Sequence, residues 1–403
     1  MMVKRLLVIP VFVLLLSGLS ACTAQKLTRY DSRNIVLSKA DFSDSIAIEW
    51  ERGQVYVPLL INGEAYRFLL DTGAGQSVVY DDTPIAGTQQ VGRILAHDAV
   101  GRSDTVQVVQ LPPLQLGTIM LRGCRATVQH RAVKRQNVDG IIGFELVNSG
   151  LSIKIDVQNN HLIITDRRNF FDAEGGQVLR YRLNYHVPYV EVQPLGRFRE
   201  QVLFDTGSRQ LFAMNKKSFD AAYSQNSLSP DFHVEGRSVG RHAIGHSGTE
   251  VRGEVAFLQL NGLHLGKQVF AGLHTLTTQG ESHLGAALLR YGTVSFNPRR
   301  KRMFFRPYVV SDTCRVDNRQ MEIAFVSDRG LPCVGLVWEG GEPYRRGFRE
   351  GDIIQEIDHR PVFSFAQFLS WGFEPGREYC FTLQDTQGLR HEVRWVRLPS
   401  RFK

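Results

Sequence analysis

The chain has 403 residues, of which 43% are hydrophobic and 22% charged, and it carries a formal net charge of +8. That length suits two or three domains of ~100–200 residues each and excludes a small peptide. The basic excess is not interleaved with aromatic residues in the way nucleic-acid surfaces require, so no nucleic-acid partner is expected.

At the N-terminus, Lys4 and Arg5 precede an apolar stretch from Leu6 to Leu16 that ends in Leu19-Ser20-Ala21-Cys22. The stretch falls short of the ~20 residues that span a bilayer, and small residues stand before the cysteine, so residues 1–21 read as a cleaved export signal. The Leu-Ser-Ala-Cys run resembles a bacterial lipobox. That resemblance implies lipidation of Cys22 and a membrane-anchored protein of the bacterial cell envelope, facing the periplasm or the surface. Plain secretion, with Cys22 as one more thiol, is the other reading. Cleavage lowers the formal charge to +6, since only Lys4 and Arg5 leave with the signal. Residues 22–48 read as a polar tether and edge strand, and no other segment is apolar for long enough to cross a membrane.

Residues 49–168 and 169–306 form an internal repeat offset by 134 positions, marked by Asp71-Thr72-Gly73 and Asp205-Thr206-Gly207. Each copy ends an apolar run, Phe68-Leu69-Leu70 in the first and Val202-Leu203-Phe204 in the second. Ahead of Asp71, Val55 to Leu60 and Tyr66 to Leu70 flank Asn62-Gly63, the signature of a tight hairpin. Val187 to Val192, Gly196 and Val202 to Phe204 repeat that pattern ahead of Asp205. Leu114-Gln115-Leu116-Gly117 then matches Leu263-His264-Leu265-Gly266, and Ile141-Ile142-Gly143 matches Leu284-Gly285. Short alternating strands and frequent glycines predict two mostly β lobes, joined by the stretch from Arg167 to Gly176. The run Arg299-Arg300-Lys301-Arg302 reads as the tip of a hairpin, with contact to anionic lipid or cell wall as the alternative.

Two carboxylates a few Å apart cannot both ionise cheaply, so they share a proton. One can then take a proton from water while the other supports the developing oxyanion. Each repeat supplies one aspartate, and the pair forms only if the lobes face each other. Over roughly residues 50–306 the chain resembles the pepsin-like and retroviral-type aspartic peptidases. Asp71-Thr72-Gly73-Ala74 and Asp205-Thr206-Gly207-Ser208 fit that family's Asp-Thr-Gly-Ser/Ala, and Asp139-Gly140-Ile141-Ile142-Gly143 is similar to its first-lobe segment. Leu284-Gly285 with Leu288-Leu289-Arg290-Tyr291 is similar to its closing segment, with His283 where the family usually has an apolar residue. The resemblance implies a bilobal, pseudo-twofold β-barrel fold and an endopeptidase using Asp71 and Asp205 on a peptide or protein substrate. It also implies that Thr72 and Thr206 bond across the lobe interface, with Gly73, Gly207 and Ser208 supporting the dyad. A Ser208 hydroxyl donating to Asp205 would favour its ionised form, whereas Ala74 offers Asp71 no such donor, so Asp205 is expected as the base and Asp71 as the proton holder.

Beyond Pro307 the pattern changes. Residues 315–403 resemble a PDZ domain, most specifically in Gly351-Asp352-Ile353-Ile354-Gln355-Glu356-Ile357. Ser364 and Gln367 form a capping box for a short helix. A peptide added as a strand beside that helix is the implied ligand, with Ser327 to Pro332 as the candidate carboxylate loop.

Glycine-rich stretches at Gly92 to Gly101 and Gly236 to Gly253 are candidate flaps or plain hairpins, the second the stronger. Among the cysteines, any bridge is expected within Cys314, Cys333 and Cys380, with Cys124 a buried thiol. No cofactor is expected, and no metal, because no spacing resembles a zinc site and Gly245 argues against a helix joining His242 and His246. Three other readings compete: tight corners with no catalysis, a non-catalytic peptide-binding scaffold, and a serine protease around Ser247. The last lacks the final glycine of a nucleophile elbow.

Overall fold

The structure is a computed structural model that describes residues 34–97, 103–131, 138–226, 229–245 and 248–396. Residues 1–21, Cys22, Gly101, His246 and Ser247 lie outside the described residues. The chain is mainly β, as expected, and builds two lobes and a C-terminal module.

The strands that carry lobe 1 are β1 (Ser43–Ala47), β2 (Gln54–Ile61), β3 (Glu64–Leu70), β4 (Ser77–Tyr80), β5 (Gln89–His97), β6 (Ser103–Gln110), β7 (Arg125–Gln129), β8 (Gly140–Ile142), β9 (Ser152–Asp156) and β10 (His161–Thr165). Lobe 2 continues with β11 (Gln177–Asn184), β12 (Val187–Leu195), β13 (Phe198–Asp205), β14 (Phe212–Asn215), α1 (Lys216–Asn226), β15 (Phe232–Gly240), β16 (Gly253–Leu260), β17 (Leu273–Thr278), β18 (His283–Gly285), β19 (Gly292–Asn297) and β20 (Arg302–Pro307).

The internal repeat becomes a repeat of topology. Lobe 1 runs β2-β3-β8-β4-β7-β6-β5 and lobe 2 runs β12-β13-β18-β14-β17-β16-β15, the same order strand for strand. Tight turns set the registers. Asn62 and Gly63 both take positive φ (54° and 82°) and close the β2–β3 hairpin, so Leu60 faces Ala65 and Tyr56 faces Leu69. The lobes are stitched by a shared sheet in the order β1-β10-β9-β19-β20-β11, in which Ile153 pairs with Phe296 at the centre. Arg299 to Lys301 lie in the turn between β19 and β20, Arg302 opens β20, and Arg300 is paired with Asp172 at 2.9 Å.

One apolar core runs through both lobes and gathers Phe144, Phe204 and Phe296, all at most 1% exposed. Phe144 and Phe296 meet edge to face at 5.1 Å. Helix α1 is an element not expected from the sequence. The Asn215 side chain accepts from the amides of Lys217 and Ser218 and starts it. Phe219 and Ala222 then bury one face.

The C-terminal module has strands β21 (Ile323–Asp328), β22 (Leu331–Val337), β23 (Ile353–Ile357), β24 (Glu378–Gln384) and β25 (Arg390–Val396), with helices α2 (Glu342–Arg346) and α3 (Phe365–Leu369). It has its own core around Phe348, Ile354 and Phe381. The capping expectation holds in part: Ser364 Oγ accepts from the Gln367 amide, while Gln367 Oε1 accepts from the amide of Phe363, one residue before the N-cap. Residues 327–332 form no open loop. Arg329 and Gly330 make a two-residue turn, and Asp328 pairs with Leu331 in the ladder, so the segment is a tight hairpin. The sequence expectation for that segment is therefore corrected.

The module is packed on lobe 2. Leu336 joins Val255, Phe257 and Leu276 in a small apolar cluster, with Trp338 against Phe257 at 5.8 Å. The Arg241 amide donates to the Gly335 carbonyl at 2.7 Å, and Ser238 Oγ donates to the Val337 carbonyl at 2.8 Å. Gly236 stands against the Trp338 indole. The β15–β16 ribbon, preferred above as a flap, is thereby pinned. In lobe 1, β5 is an edge strand whose one neighbour is β6, which makes that ribbon the better flap candidate among the described residues. Neither Cys124, which is buried, nor Cys314, Cys333 or Cys380 is in a disulfide, so no bridge tightens the tail.

Candidate active site

The site lies where the two repeats meet. In each lobe a strand ends at the aspartate while a parallel neighbour ends beside it: Leu70 pairs with Ile142, and Asp205 with Gly285. The following loop is closed by matched backbone bonds. The Ala74 and Ser208 amides donate to the carbonyls of Asp71 and Asp205, each at 3.2 Å. The Phe144 and Ala286 amides donate to the carbonyls of Ala74 and Ser208 at 2.7 and 2.8 Å. Gly143 must be glycine, because a Cβ there would stand 2.5 Å from the Ala74 carbonyl oxygen.

Thr72 and Thr206, 1% and 0% exposed, lock the loops together. Each backbone amide donates to the other threonine's Oγ1 at 3.0 Å. Each hydroxyl donates onward across the interface, Thr72 to the Phe204 carbonyl at 2.6 Å and Thr206 to the Leu70 carbonyl at 2.7 Å. The four bonds leave no buried polar atom of either side chain unpaired, which gives the pair geometric precision as well as stability.

This lock sets Asp71 and Asp205 face to face. Gly73 and Gly207 donate their amides to Oδ1 of their own aspartate, each at 2.8 Å. Each glycine also stands against the opposite carboxyl group: a Cβ on Gly73 would lie 2.7 Å from Asp205 Cγ, and one on Gly207 would lie 2.5 Å from Asp71 Oδ2. The two carboxyl groups face each other closely enough for the charge of one to act on the other. Burial, followed by the charge of Asp205, raises the Asp71 pKa well above the usual carboxylate range. Asp205 is raised by burial and held back by bonds from Asp71 and from the amides of Gly207 and Ser208. Both carboxyl groups are thus raised, and they titrate as a coupled pair.

The Ser208 hydroxyl does not donate to Asp205 as the sequence reading expected. The Ser208 hydroxyl is 2.9 Å from His283 Nε2, while His283 Nδ1 is 3.0 Å from the Glu281 carbonyl. A carbonyl only accepts, so the imidazole proton is on Nδ1 and Nε2 takes the hydroxyl proton of Ser208. Burial lowers the His283 pKa and keeps the ring neutral. Ser208 thus serves Asp205 through its backbone amide, 3.3 Å from Oδ1, and not through its hydroxyl.

Entry turns prop the loops from the opposite lobe. The Gln54 side-chain amide donates to the Gly207 carbonyl at 2.8 Å, and Arg209 holds Gln54 Oε1 at 2.9 Å. On the other side, the Asn148 side chain donates to the His186 carbonyl at 2.8 Å, and the Tyr185 carbonyl lies against Gly75.

A further group was missed in the sequence. Glu145 is 4% exposed beneath the Asp71 loop, its Oε1 accepting from the amide and hydroxyl of Ser77 while Oε2 has no hydrogen-bond partner. Burial pushes its carboxyl up to about 7. Its signal was a lone acid within Gly143-Phe144-Glu145-Leu146-Val147, where the second repeat has Ala287. His242 turns its Nε2 to the Thr277 carbonyl, 3.0 Å away, and lies in no helix.

The described geometry defines a class: two like lobes that present opposed Asp-Thr-Gly loops across a shared interface. Residues 57–146, which include the Asp71 loop, match the family described as aspartyl protease, and this supports a protease-type function. Among solved structures, the crystal structure of an aspartic proteinase from Irpex lacteus is similar over 66% of this chain and 97% of its own, at 11% identity and a TM-score of 0.42. No curated protein matches the chain.

Proposed function

We propose that the chain is a single-chain aspartic endopeptidase in which Asp71 and Asp205 activate water against a peptide bond. The observation that carries this reading is the reciprocal Thr72–Thr206 lock, which holds two opposed carboxyl groups at the lobe interface. In the reaction, ionised Asp205 accepts a proton from the water as its oxygen attacks the carbonyl carbon. Protonated Asp71 donates to the developing oxyanion. As the tetrahedral intermediate collapses and its C–N bond breaks, Asp205 passes the proton taken from water to the leaving amine and the diol hydroxyl returns a proton to Asp71, so the dyad is again singly protonated. A cleft between two β lobes suits an extended peptide.

In the same reading, the C-terminal module is a PDZ domain that takes a peptide or partner protein beside α3, Cys22 is lipidated, and the protein sits on a membrane of the bacterial envelope. The Ser364 cap and the buried Asp352, whose Oδ2 accepts from the Arg349 amide at 2.7 Å, support the PDZ assignment. The test is cleavage of a mixed peptide library across pH 3–8 by the wild type, Asp71→Asn and Asp205→Asn. Cleavage by the wild type alone, blocked by a statine-type mimic, is expected. A folded wild type that cleaves nothing supports instead a peptide-binding scaffold.

A further inference from the structure

On the exposed face of the C-terminal sheet, His359, Cys380 and Glu392 converge, their ligand atoms all within 4.8 Å of one another. Three chain segments bring them there. In the β24–β25 ladder Cys380 faces Arg394 and Thr382 faces Glu392, so Cys380 and Glu392 are diagonal neighbours on one face. His359 comes from the two-residue turn after β23, where Asp358 and His359 both adopt the left-handed conformation (φ 50° and 59°).

That turn is fastened to the peptide of Cys380 itself. The Asp358 amide donates to the Cys380 carbonyl at 2.8 Å, and the Cys380 amide donates to Asp358 Oδ1 at 3.0 Å. Arg377 Nη2 holds the other Asp358 oxygen at 2.8 Å. The backbone positions of all three ligands are thus set by hydrogen bonds that involve none of the ligand atoms. His359 Nδ1 is already 3.9 Å from Glu392 Oε1.

We propose that this cluster binds one divalent transition-metal ion of the zinc class, through the His359 imidazole, the Cys380 thiolate and the Glu392 carboxylate, with water in the fourth position. One nitrogen, one sulfur and one oxygen donor suit zinc or cobalt and not calcium or magnesium, which take oxygen. Ligands at ~2.0–2.3 Å from a tetrahedral ion lie roughly 3.5 Å apart, and the three ligand atoms already lie within 4.8 Å of one another. Arg394 lies across from Cys380, and its guanidinium is turned to Glu378 at 4.0 Å. Glu356, bonded by the Thr382 hydroxyl, adds negative charge on the same face. Binding releases the Cys380 thiol proton to solvent with no change of oxidation state, so affinity rises with pH. The module has its own apolar core and does not need the ion to fold.

Cobalt titration of the full chain under a phosphine reductant tests the proposal. One equivalent should develop a thiolate-to-cobalt charge-transfer band together with the d–d bands of four-coordination, and zinc should bleach both. Cys380→Ser should abolish the band, His359→Ala and Glu392→Ala should each weaken cobalt binding at least about tenfold, and Cys314→Ser should leave it intact. Absence of the band at saturating cobalt overturns the site. So does a band that survives Cys380→Ser, or an affinity indifferent to His359 and Glu392. Thermal melts followed by circular dichroism establish that each variant is folded.

Discussion

Glu145→Gln should flatten part of the pH dependence of stability. Burial disfavours the charged form of the native carboxyl more than the two bonds from Ser77 support it, so its pKa stands at about 7 against an ordinary 4.5. The folded protein therefore keeps this proton at pH values where the unfolded chain has lost it. The contribution to stability falls as pH rises from 4.5 to about 7 and is level above. At ~1.36 kcal/mol per pH unit the interval amounts to about 3 kcal/mol. Glutamine keeps the shape and the acceptor for Ser77 and carries no charge at any pH. The variant and the wild type should melt within about 2 °C of each other at pH 4, and at pH 8 the variant should melt roughly 5–10 °C higher. Melting both proteins in half-unit steps from pH 4 to 8 measures the difference, and parallel curves would refute a protonated Glu145.

Other substitutions test the dyad and the docking. Gly73→Ala should abolish peptide cleavage in a folded protein, because the new Cβ would fall 2.7 Å from Asp205 Cγ; kcat against library-derived peptides reads this. Thr72→Val removes one hydroxyl that both accepts and donates across the interface, and denaturant melts should show a loss of about 1–3 kcal/mol. Ser208→Ala should leave the acidic limb of the pH–rate profile in place, since that hydroxyl proton belongs to His283; a limb displaced by half a pH unit or more would contradict the assignment. Leu336→Ala opens a cavity in the seam between module and lobe 2, costs about 2–5 kcal/mol, and should expose residues 308–322 to limited proteolysis.

The sequence made the repeat legible because local chemistry enforces it. An Asn-Gly turn, an apolar strand and an Asp-Thr-Gly corner each act within a few residues. Helix α1 was legible in principle, since Asn215 caps it and Phe219, Ala222 and Tyr223 fall at helical spacing, but the β pattern around it masked the signal. Ser208 with His283, and Gly335 with Arg241, were not legible. Each joins residues 75 or more positions apart, and neither residue type announces its partner. His359, Cys380 and Glu392 were hidden for the same reason, since their sequence spacing resembles no ligand motif while the sheet register places them on one face.

The shared sheet at the lobe interface has a kinetic consequence. Its central pairing joins Ile153 to Phe296, so the edge of β9 that faces β19 stays uncovered until almost 150 further residues have been made and folded. Contacts of such separation are slow to close, and an uncovered edge strand invites pairing with another chain. A nascent first lobe would therefore be the aggregation-prone species. Folding yield should depend on chaperoning between residues 165 and 292, and a first lobe expressed alone should pair through β9 with a second copy of itself, in place of the missing β19.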